Sequence, residues 1–354
     1  MVTPWFWEER MAEQGTVLVT GGSGFIAGWC IIALLKAGWR VRASLRTPAR
    51  EAEVRAQLAP HIEAGERLSF HKADLGADAG WAEAVAGCRH VLHVASPFPL
   101  ALPKNPEELI RPARDGALRV LKAARDAGVA RVVLTSSMAA IAYGHPPGRR
   151  APFTEADWTN PNDPACSAYV QSKTIAEKAA WDWLAREGGP LELAVVNPAA
   201  VMGPILGADL STSVQTVKML LEGALPAIPK IGFAITDVRD VADLHLLAMT
   251  RPEAKGERFL AAGPFFWFDE IAAILREKLG AQARRVPKGR LPDFLVRFSA
   301  LFDETSRTVA TELNQARPVT SEKAIRVLGW RPRSNEEAIL ASAESLLAAG
   351  MVRA

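Results

Sequence analysis

The stretch Thr20-Gly21-Gly22-Ser23-Gly24-Phe25-Ile26-Ala27-Gly28 constrains what this chain can fold into more than any other. It follows a short β-branched and apolar run at 16–20 and opens an apolar segment of helical character that ends near Lys36. Strand, glycine turn and helix in that order predict the head of a βαβ unit. Gly21 permits the tight turn, Gly24 lets backbone approach an anion, and Ala27 fills the third small position. The helix start then offers free N–H groups and a positive dipole end to a pyrophosphate. A dinucleotide site is the expectation, against the alternative of a plain glycine-rich turn.

The alternation continues. Strands are expected at 41–46, 68–71, 91–95, 132–136 and 191–196, with helices at 24–36, 48–58, 81–86, 106–127 and 167–186. This rhythm predicts an α/β fold, a doubly wound parallel sheet of Rossmann type with helices on both faces. Beyond Pro198, Gly and Pro become frequent through Pro229, a strand-like piece at 233–236 leads into a helix at 240–250, and the last third reads mainly helical, clearest at 268–279 and 335–349. The expected organisation is a nucleotide-binding domain from 16–198 and about 233–250. A smaller, mainly helical substrate domain, from 199–232 and 251–354, should lie over the strand ends, where ligands bind in such sheets.

Residues 1–15 are expected to form a disordered leader, with Met11 an alternative start and docking of the Trp-rich residues 1–10 on a partner subunit the competing role. Glu8 and Glu9, in place of a basic start, argue against a secretory signal. No apolar run is long enough to span a bilayer, so no membrane partner is expected. With 49% apolar and 23% charged residues, the 354-residue chain has an ordinary globular composition, and its net charge of +3 shows no basic block that would imply nucleic acid. Cys30, Cys88 and Cys166 are odd in number and widely spaced, which fits neither disulfides nor zinc and suggests a reducing, cytoplasmic setting. His90 and His93 stand three apart on a strand and so face opposite ways, and His245 reads as a satisfied helix residue; no metal is expected.

Where an NAD site wants an acid for the ribose 2′-OH, the second strand ends Ser44-Leu45-Arg46. A guanidinium suits a 2′-phosphate, so the expected cofactor is NADP (NADPH), held chiefly by Arg46. Arg42 should share a face with Arg46, and Arg50 could approach from the next loop; a solvated basic edge is the alternative. Asp74-Leu75 follows the third strand, where the carboxylate could accept from an adenine amino group or cap a helix, and Leu75 could cover the ring.

The chain has two tyrosines. Tyr143 precedes a Gly-His-Pro-Pro turn, whereas Tyr169 precedes Val170-Gln171-Ser172-Lys173. Tyr169 and Lys173 stand four apart on a helix and share a face. A nearby ammonium should lower the phenol's ordinary value of about 10, so that Tyr169 can protonate the oxygen formed as hydride reaches a carbonyl carbon. Lys173 can also bond a nicotinamide ribose. Ser137, at the end of the fifth strand in Thr135-Ser136-Ser137, is the choice to hold the carbonyl oxygen, with Ser136 its competitor.

TGGSGFIAG, VRASLR, KADL, HVASP, VVLTSS, YVQSK, VVNPAAVMGP and DVRDVADLHLLAM follow in unbroken order over roughly 16–250. In them the chain resembles the extended short-chain dehydrogenase/reductases, and within these the dihydroflavonol reductase, cinnamoyl-CoA reductase and yeast-type aldehyde/ketone reductase group. The resemblance implies a triad of Ser137, Tyr169 and Lys173. It also implies cofactor contacts from Phe25, Ile26, Arg46, Asp74, Leu75, Val94, Ala95, Ser96, Pro198 and Val201, with Ser213 near the phosphates. Gly21, Ser23, Gly24, Thr135, Tyr169 and Lys173 join that set. Hydride transfer from the pro-S face, and monomers or homodimers, are implied too. The helix at 111–125 lacks the Asn that many short-chain dehydrogenases use, and the last third resembles the group only loosely.

Related dehydratases need an acid pair just after the catalytic hydroxyl, where this chain has Met138-Ala139; epimerases usually retain NAD, which Arg46 disfavours. The expected function is NADPH-dependent reduction of a ketone or aldehyde, apolar or aromatic. Another extended-family activity (epimerase, hydroxysteroid or alcohol dehydrogenase) or a non-catalytic NADP sensor stand as alternatives. Phe98, Met138, Met202 and Met219 are candidates to line the substrate pocket, with core packing the competing role for each.

Overall fold

The computed structural model describes residues 14–97, 105–146, 148–149 and 151–352. Its main sheet has seven parallel strands: β1 (Thr16–Val19), β2 (Arg40–Leu45), β3 (Leu68–Lys72), β4 (Cys88–His93), β5 (Arg131–Thr135), β6 (Glu192–Pro198) and β9 (Arg258–Ala261). They lie in the order β3-β2-β1-β4-β5-β6-β9. The order reverses direction between β1 and β4, which opens a crevice at the carboxyl ends of those strands. Helices α1 (Phe25–Lys36), α2 (Glu51–Leu58), α3 (Trp81–Val85), α4 (Glu107–Asp126) and α5 (Ala168–Glu187) make the crossovers.

α1 is apolar on every side before Lys36 because it is covered on every side. Its Ile31, Leu34 and Leu35 pack into one core with β1, β2 and the helix α7 (Val238–Thr250). On the other face of the sheet, α4 and α5 close a second core through Val120, Leu121, Ala180 and Trp183. A third core joins α6 (Thr212–Glu222), α8 (Phe268–Leu279) and α12 (Asn335–Ala348) around Met202, Ile235 and Ile339. The remaining helices are α9 (Asp293–Ser299), α10 (Glu304–Glu312) and α11 (Glu322–Leu328).

Two parts of the expected division are corrected. The strand read with the nucleotide domain, β8 (Gly232–Asp237), joins β7 (Ala200–Met202) and β10 (Phe265–Trp267) in a separate three-stranded sheet. The seventh strand of the main sheet, β9, comes from the stretch read as substrate domain and pairs with β6 at Val195–Arg258. β7, β9 and β10 have only three or four residues each, too few to show a period of two.

Candidate active site

The glycine turn is pinned between the first two strands. Gly21 N–H donates to Ser44 Oγ at 3.0 Å and Gly22 N–H to Ser44 O at 2.8 Å, so Ser44 holds the loop. Gly21 has φ +69°, and a Cβ there would lie 3.0 Å from that of Ala95; one on Gly22 would lie 2.7 Å from that of Ala43. Only glycine fits. Ala95 N–H donates to Thr20 Oγ1 at 2.9 Å, which brings the loops after β1 and β4 together, with Val94 partly buried and Ser96 beyond. α1 starts at Gly24, an N-cap without a capping side chain, so no side-chain oxygen of the cap competes for the first-turn N–H groups of Phe25 and Ile26. The cradle therefore suits a dinucleotide pyrophosphate.

The segment after β7 lies over this turn. Trp29 Nε1 donates to Pro204 O at 3.0 Å, Leu206 rests against Gly28, and Asp209 reaches Arg50 at 2.7 Å. Arg50 also pairs with Glu53 at 2.7 Å and stands 3.4 Å from Ser23 Oγ; these acids push its guanidinium further up. Arg46 is exposed just past β2 and has no partner among the described residues. Arg42 does not share its task. Its Nη1 donates to the carbonyls of Glu83, Ala84 and Ala86 at the end of α3. Asp74 caps no helix: Oδ1 accepts from Gly76 N–H at 2.8 Å, and the N-cap of α3 is Gly80. Its carboxylate remains exposed, and Leu75 packs toward Gly116.

The catalytic candidates converge where β5 meets α5. Ser167 caps α5, its side chain accepting from Val170 N–H, which sets the phase that turns Lys173 and Glu177 inward. Ser137 Oγ accepts from Ala139 N–H at 3.1 Å, leaving its proton for Tyr169, to which it is hydrogen-bonded. Ser136 points elsewhere, into Glu177. Lys173 is buried, with Nζ 6.0 Å from the Tyr169 ring centroid. Burial pushes its ammonium down to about 8, against an opposing pull from Glu177. The expected lowering of Tyr169 by Lys173 is not what the geometry produces: burial pushes the phenol up, and the Ser137 hydrogen bond is what opposes it.

Sequence reasoning missed Glu177. It is 1% exposed and accepts from Ser136 Oγ at 2.5 Å, Asn197 Nδ2 at 2.8 Å, Arg258 Nε at 2.5 Å and Trp181 Nε1 at 3.4 Å. Asn197 Nδ2 also donates to Ser137 O at 3.2 Å. One carboxylate thus ties β5, β6 and β9 to the helix that carries Tyr169. Its signal was an acid one turn past Lys173 on the same face.

Thr135 Oγ1 stands 2.7 Å from His245 Nε2, while His245 Nδ1 donates to Val241 O at 2.7 Å; burial holds that imidazole down at about 4. Thr135 and His245 therefore satisfy each other inside the fold. His93 lies 2.9 Å from Thr20 Oγ1 and is held down to about 3 by burial and then by Lys173. His90 packs edge-on against Trp39. Pro198 is buried at the end of β6 opposite Ala261, Val201 is buried in β7 opposite Thr236, and Ser213 lies in the first turn of α6.

Among the described substrate candidates, Met138 follows Ser137 directly and is partly buried in a cluster with Ile141, Phe153 and Tyr143. Met202 is corrected to core, fully buried among Val214, Ile235 and Ile339. Met219 is 41% exposed on α6. Phe98 lies outside the described residues. Tyr143, which the sequence offered only as a turn residue, joins Ala139, Cys166, Val170 and Tyr169 in an apolar cluster.

A family model, the NAD dependent epimerase/dehydratase family, matches residues 17–262. The chain is 37% identical over 265 residues to a cinnamoyl-CoA reductase of Medicago truncatula, covering 74% of this chain and 80% of that one. It is 34% identical over 277 residues to a dihydroflavonol 4-reductase of Zea mays, covering 75% of each. Among solved structures, yeast methylglyoxal/isovaleraldehyde reductase complexed with NADPH superposes with a TM-score of 0.79 at 28% identity, over 95% of this chain and 100% of that one.

Proposed function

The chain belongs to the NAD-dependent epimerase/dehydratase family, whose extended short-chain reductases it resembles, and on that premise we propose that it reduces a ketone or aldehyde with NADPH. The observation that carries the reading is the meeting of Ser137, Tyr169 and Lys173 in a fold whose glycine turn leaves the first helix N-terminus uncapped, as a pyrophosphate would need. The named activities of the relatives, all reductases, point the same way.

NADPH supplies the hydride when bound. The cradle at Gly21–Phe25 would hold its pyrophosphate, Arg46 its 2′-phosphate, and Lys173 its nicotinamide ribose. Tyr169 gives its proton to the carbonyl oxygen as the carbon is reduced, and Ser137 bonds that same oxygen. A phenol held high by burial keeps its proton until that oxygen becomes basic enough to take it. Oxidation of the alcohol would use the same groups in reverse at higher pH. The apolar cluster around Tyr143 and Met138 supports an apolar or aromatic substrate. Met138 directly after Ser137 leaves elimination without an acid, which speaks against a dehydratase. No described helix is long and apolar enough to cross a membrane, and the three cysteines are free and buried, which supports a cytoplasmic, reducing setting. A monomer or homodimer remains our reading of its assembly.

The test is a panel of ketones, aldehydes, a flavonoid ketone and an acyl-CoA, followed by NADPH absorbance. Turnover of at least one carbonyl, faster with NADPH than with NADH, is expected. Failure on every carbonyl would leave the reductase reading without support.

A further inference from the structure

A second phenol stands beside Tyr169, and the reaction assigned above does not use it. Tyr143 packs with Tyr169 against Ala139, Cys166 and Val170, and also joins Met138 in the cluster of Ile141 and Phe153. Its backbone N–H donates to Thr159 Oγ1 at 3.0 Å, but its hydroxyl has no hydrogen-bond partner among the described residues. The side chain is partly exposed, and the hydroxyl is not sealed in the core. Packing alone would be served as well by a phenylalanine. An unspent donor this close to the site calls for an acceptor from outside the chain.

The ring is also held in place. The Arg317 guanidinium sits over it, 4.2 Å from the centroid, and Glu312 at the end of α10 holds that guanidinium in an ion pair. The segment between them is fixed at both ends. Asn314 takes a φ of 60°, which asparagine tolerates, and its N–H donates to Lys230 O at 2.8 Å. Beyond Arg317, Phe153 N–H donates to Pro318 O at 2.8 Å and Thr320 N–H to Phe153 O at 3.0 Å. Burial pushes the Tyr143 phenol up, and Glu312 and Tyr169 push the same way against Arg317. Tyr143 therefore keeps its proton and can donate it to a bond throughout the working range. That Tyr169 is among these groups puts the two hydroxyls within electrostatic reach of each other. Because Glu312 neutralises Arg317, the pair adds no net charge to this wall, which suits a neutral oxygen better than a carboxylate.

We propose that Tyr143 is a second recognition point for the substrate. Its O–H donates to a second, neutral oxygen of the substrate, an ester or ketone oxygen a few bonds from the carbonyl that Tyr169 serves, and Arg317 is the positioning residue that fixes its ring. The inference rests on the reductase reading and narrows it, from apolar carbonyl compounds in general to those that carry such a second oxygen. The bond discriminates because a substrate without that oxygen leaves the hydroxyl unpaired once water is displaced.

The experiment measures kcat/KM with NADPH for a pair of ketones of equal size: ethyl acetoacetate, which has the second carbonyl oxygen, and methyl hexyl ketone, which has none. The readout is the ratio of the keto ester value to the plain ketone value. In Tyr143→Phe this ratio should fall about 5–10-fold, the loss of one neutral hydrogen bond. Arg317→Met should lower it about twofold or more, since the ring loses the cation that fixes it. A merely structural role would slow both ketones alike and leave the ratio where it was in both variants, which overturns the proposal. Melting temperature and NADPH binding show whether the variants are folded; should Tyr143→Phe not fold, the ratio in Arg317→Met decides. Wild-type turnover of no carbonyl at all would remove the reductase reading and this inference with it, whereas turnover with an unmoved ratio removes the inference alone.

Discussion

At the catalytic end of the cleft, Lys173, Ser137 and Glu177 are each less than a tenth exposed, and Glu177 alone collects four donors from three strands and its own helix. At the phosphate end, Arg46 is exposed without a partner, and Arg50 is shared between Asp209 and Glu53, with 65% and 46% of those side chains exposed. The first end is set before any ligand arrives; the second offers charge that a ligand can claim. A proton donor must be in position to within tenths of an ångström, and a buried, multiply hydrogen-bonded network gives that. A phosphate site needs attraction and a way in, which exposed cations provide. Changes at the first end should therefore cost orders of magnitude or the fold, and changes at the second should move affinity by smaller steps.

The largest effect expected is on Tyr169. Tyr169→Phe keeps the ring in its apolar cluster and removes only the hydroxyl, the proposed proton donor. Turnover should fall about 10²–10⁴-fold while NADPH affinity, read by fluorescence titration, stays within about threefold. Retained turnover would move the acid elsewhere and break the contrast at its strongest point.

Next comes the buried pair. Arg258→Met removes the guanidinium that meets Glu177 and leaves the carboxylate uncompensated, at a cost of about 3–5 kcal/mol in denaturant unfolding. Glu177→Gln should be milder and should read out at Lys173. The groups acting on that ammonium are Glu177 on its own helix and His93 on β4, the latter neutral at working pH. Lys173 is charged below about 8, so NADPH binding and turnover should fall as pH rises through about 8. Removing the acid that supports the charge should move that break lower. For stability the sign is opposite. Between about 8 and 10.5 the unfolded chain keeps a proton that the folded chain has released, so this group's contribution to stability rises with pH there and is constant below. An unmoved break in Glu177→Gln would make Glu177 purely structural.

How legible each end was follows from the same contrast. The glycine turn and the Tyr169–Lys173 spacing are local, and a local pattern survives in a linear sequence. Arg42 and Arg46 looked equivalent because they alternate on one strand; only the end of α3, lying beside β2, takes Arg42 away. Glu177, Asn197 and Arg258 meet across 81 residues of chain, and such a long-range pairing leaves no periodicity to read. Met202 lies in the core for a related reason: its direction is set by β7, which packs on helices far along the chain. Met138 and Tyr143 sit right beside the catalytic strand end, and there proximity in sequence was proximity in space.

A third effect should be smaller than either change above. Arg46→Ala removes one charge-assisted contact to a 2′-phosphate, about 1.5–3 kcal/mol, or roughly 10–100-fold in NADPH affinity. NADH binding should not change, since NADH has no phosphate there. Equal losses for both cofactors would place Arg46 on the pyrophosphate or on the fold.

The smallest effect, and the finest probe of the contrast, is at Asp209. In this structure its carboxylate pairs with Arg50 at 2.7 Å, and it would compete with any phosphate oxygen bound there. Both partners are well solvated, so the pair is weak, and removing one side should change NADPH affinity only a few-fold. The direction separates two roles. Asp209→Asn should tighten NADPH if Arg50 is thereby released to the phosphate. It should weaken both cofactors alike if the main use of the pair is to hold the 204–209 segment over the glycine turn. High salt, which screens an exposed pair, should shrink the difference between wild type and variant in the first case. Tightening specific to NADPH would mean that the exposed end of the cleft is tuned by competition, whereas the buried end is held by the hydrogen bonds that converge on Glu177.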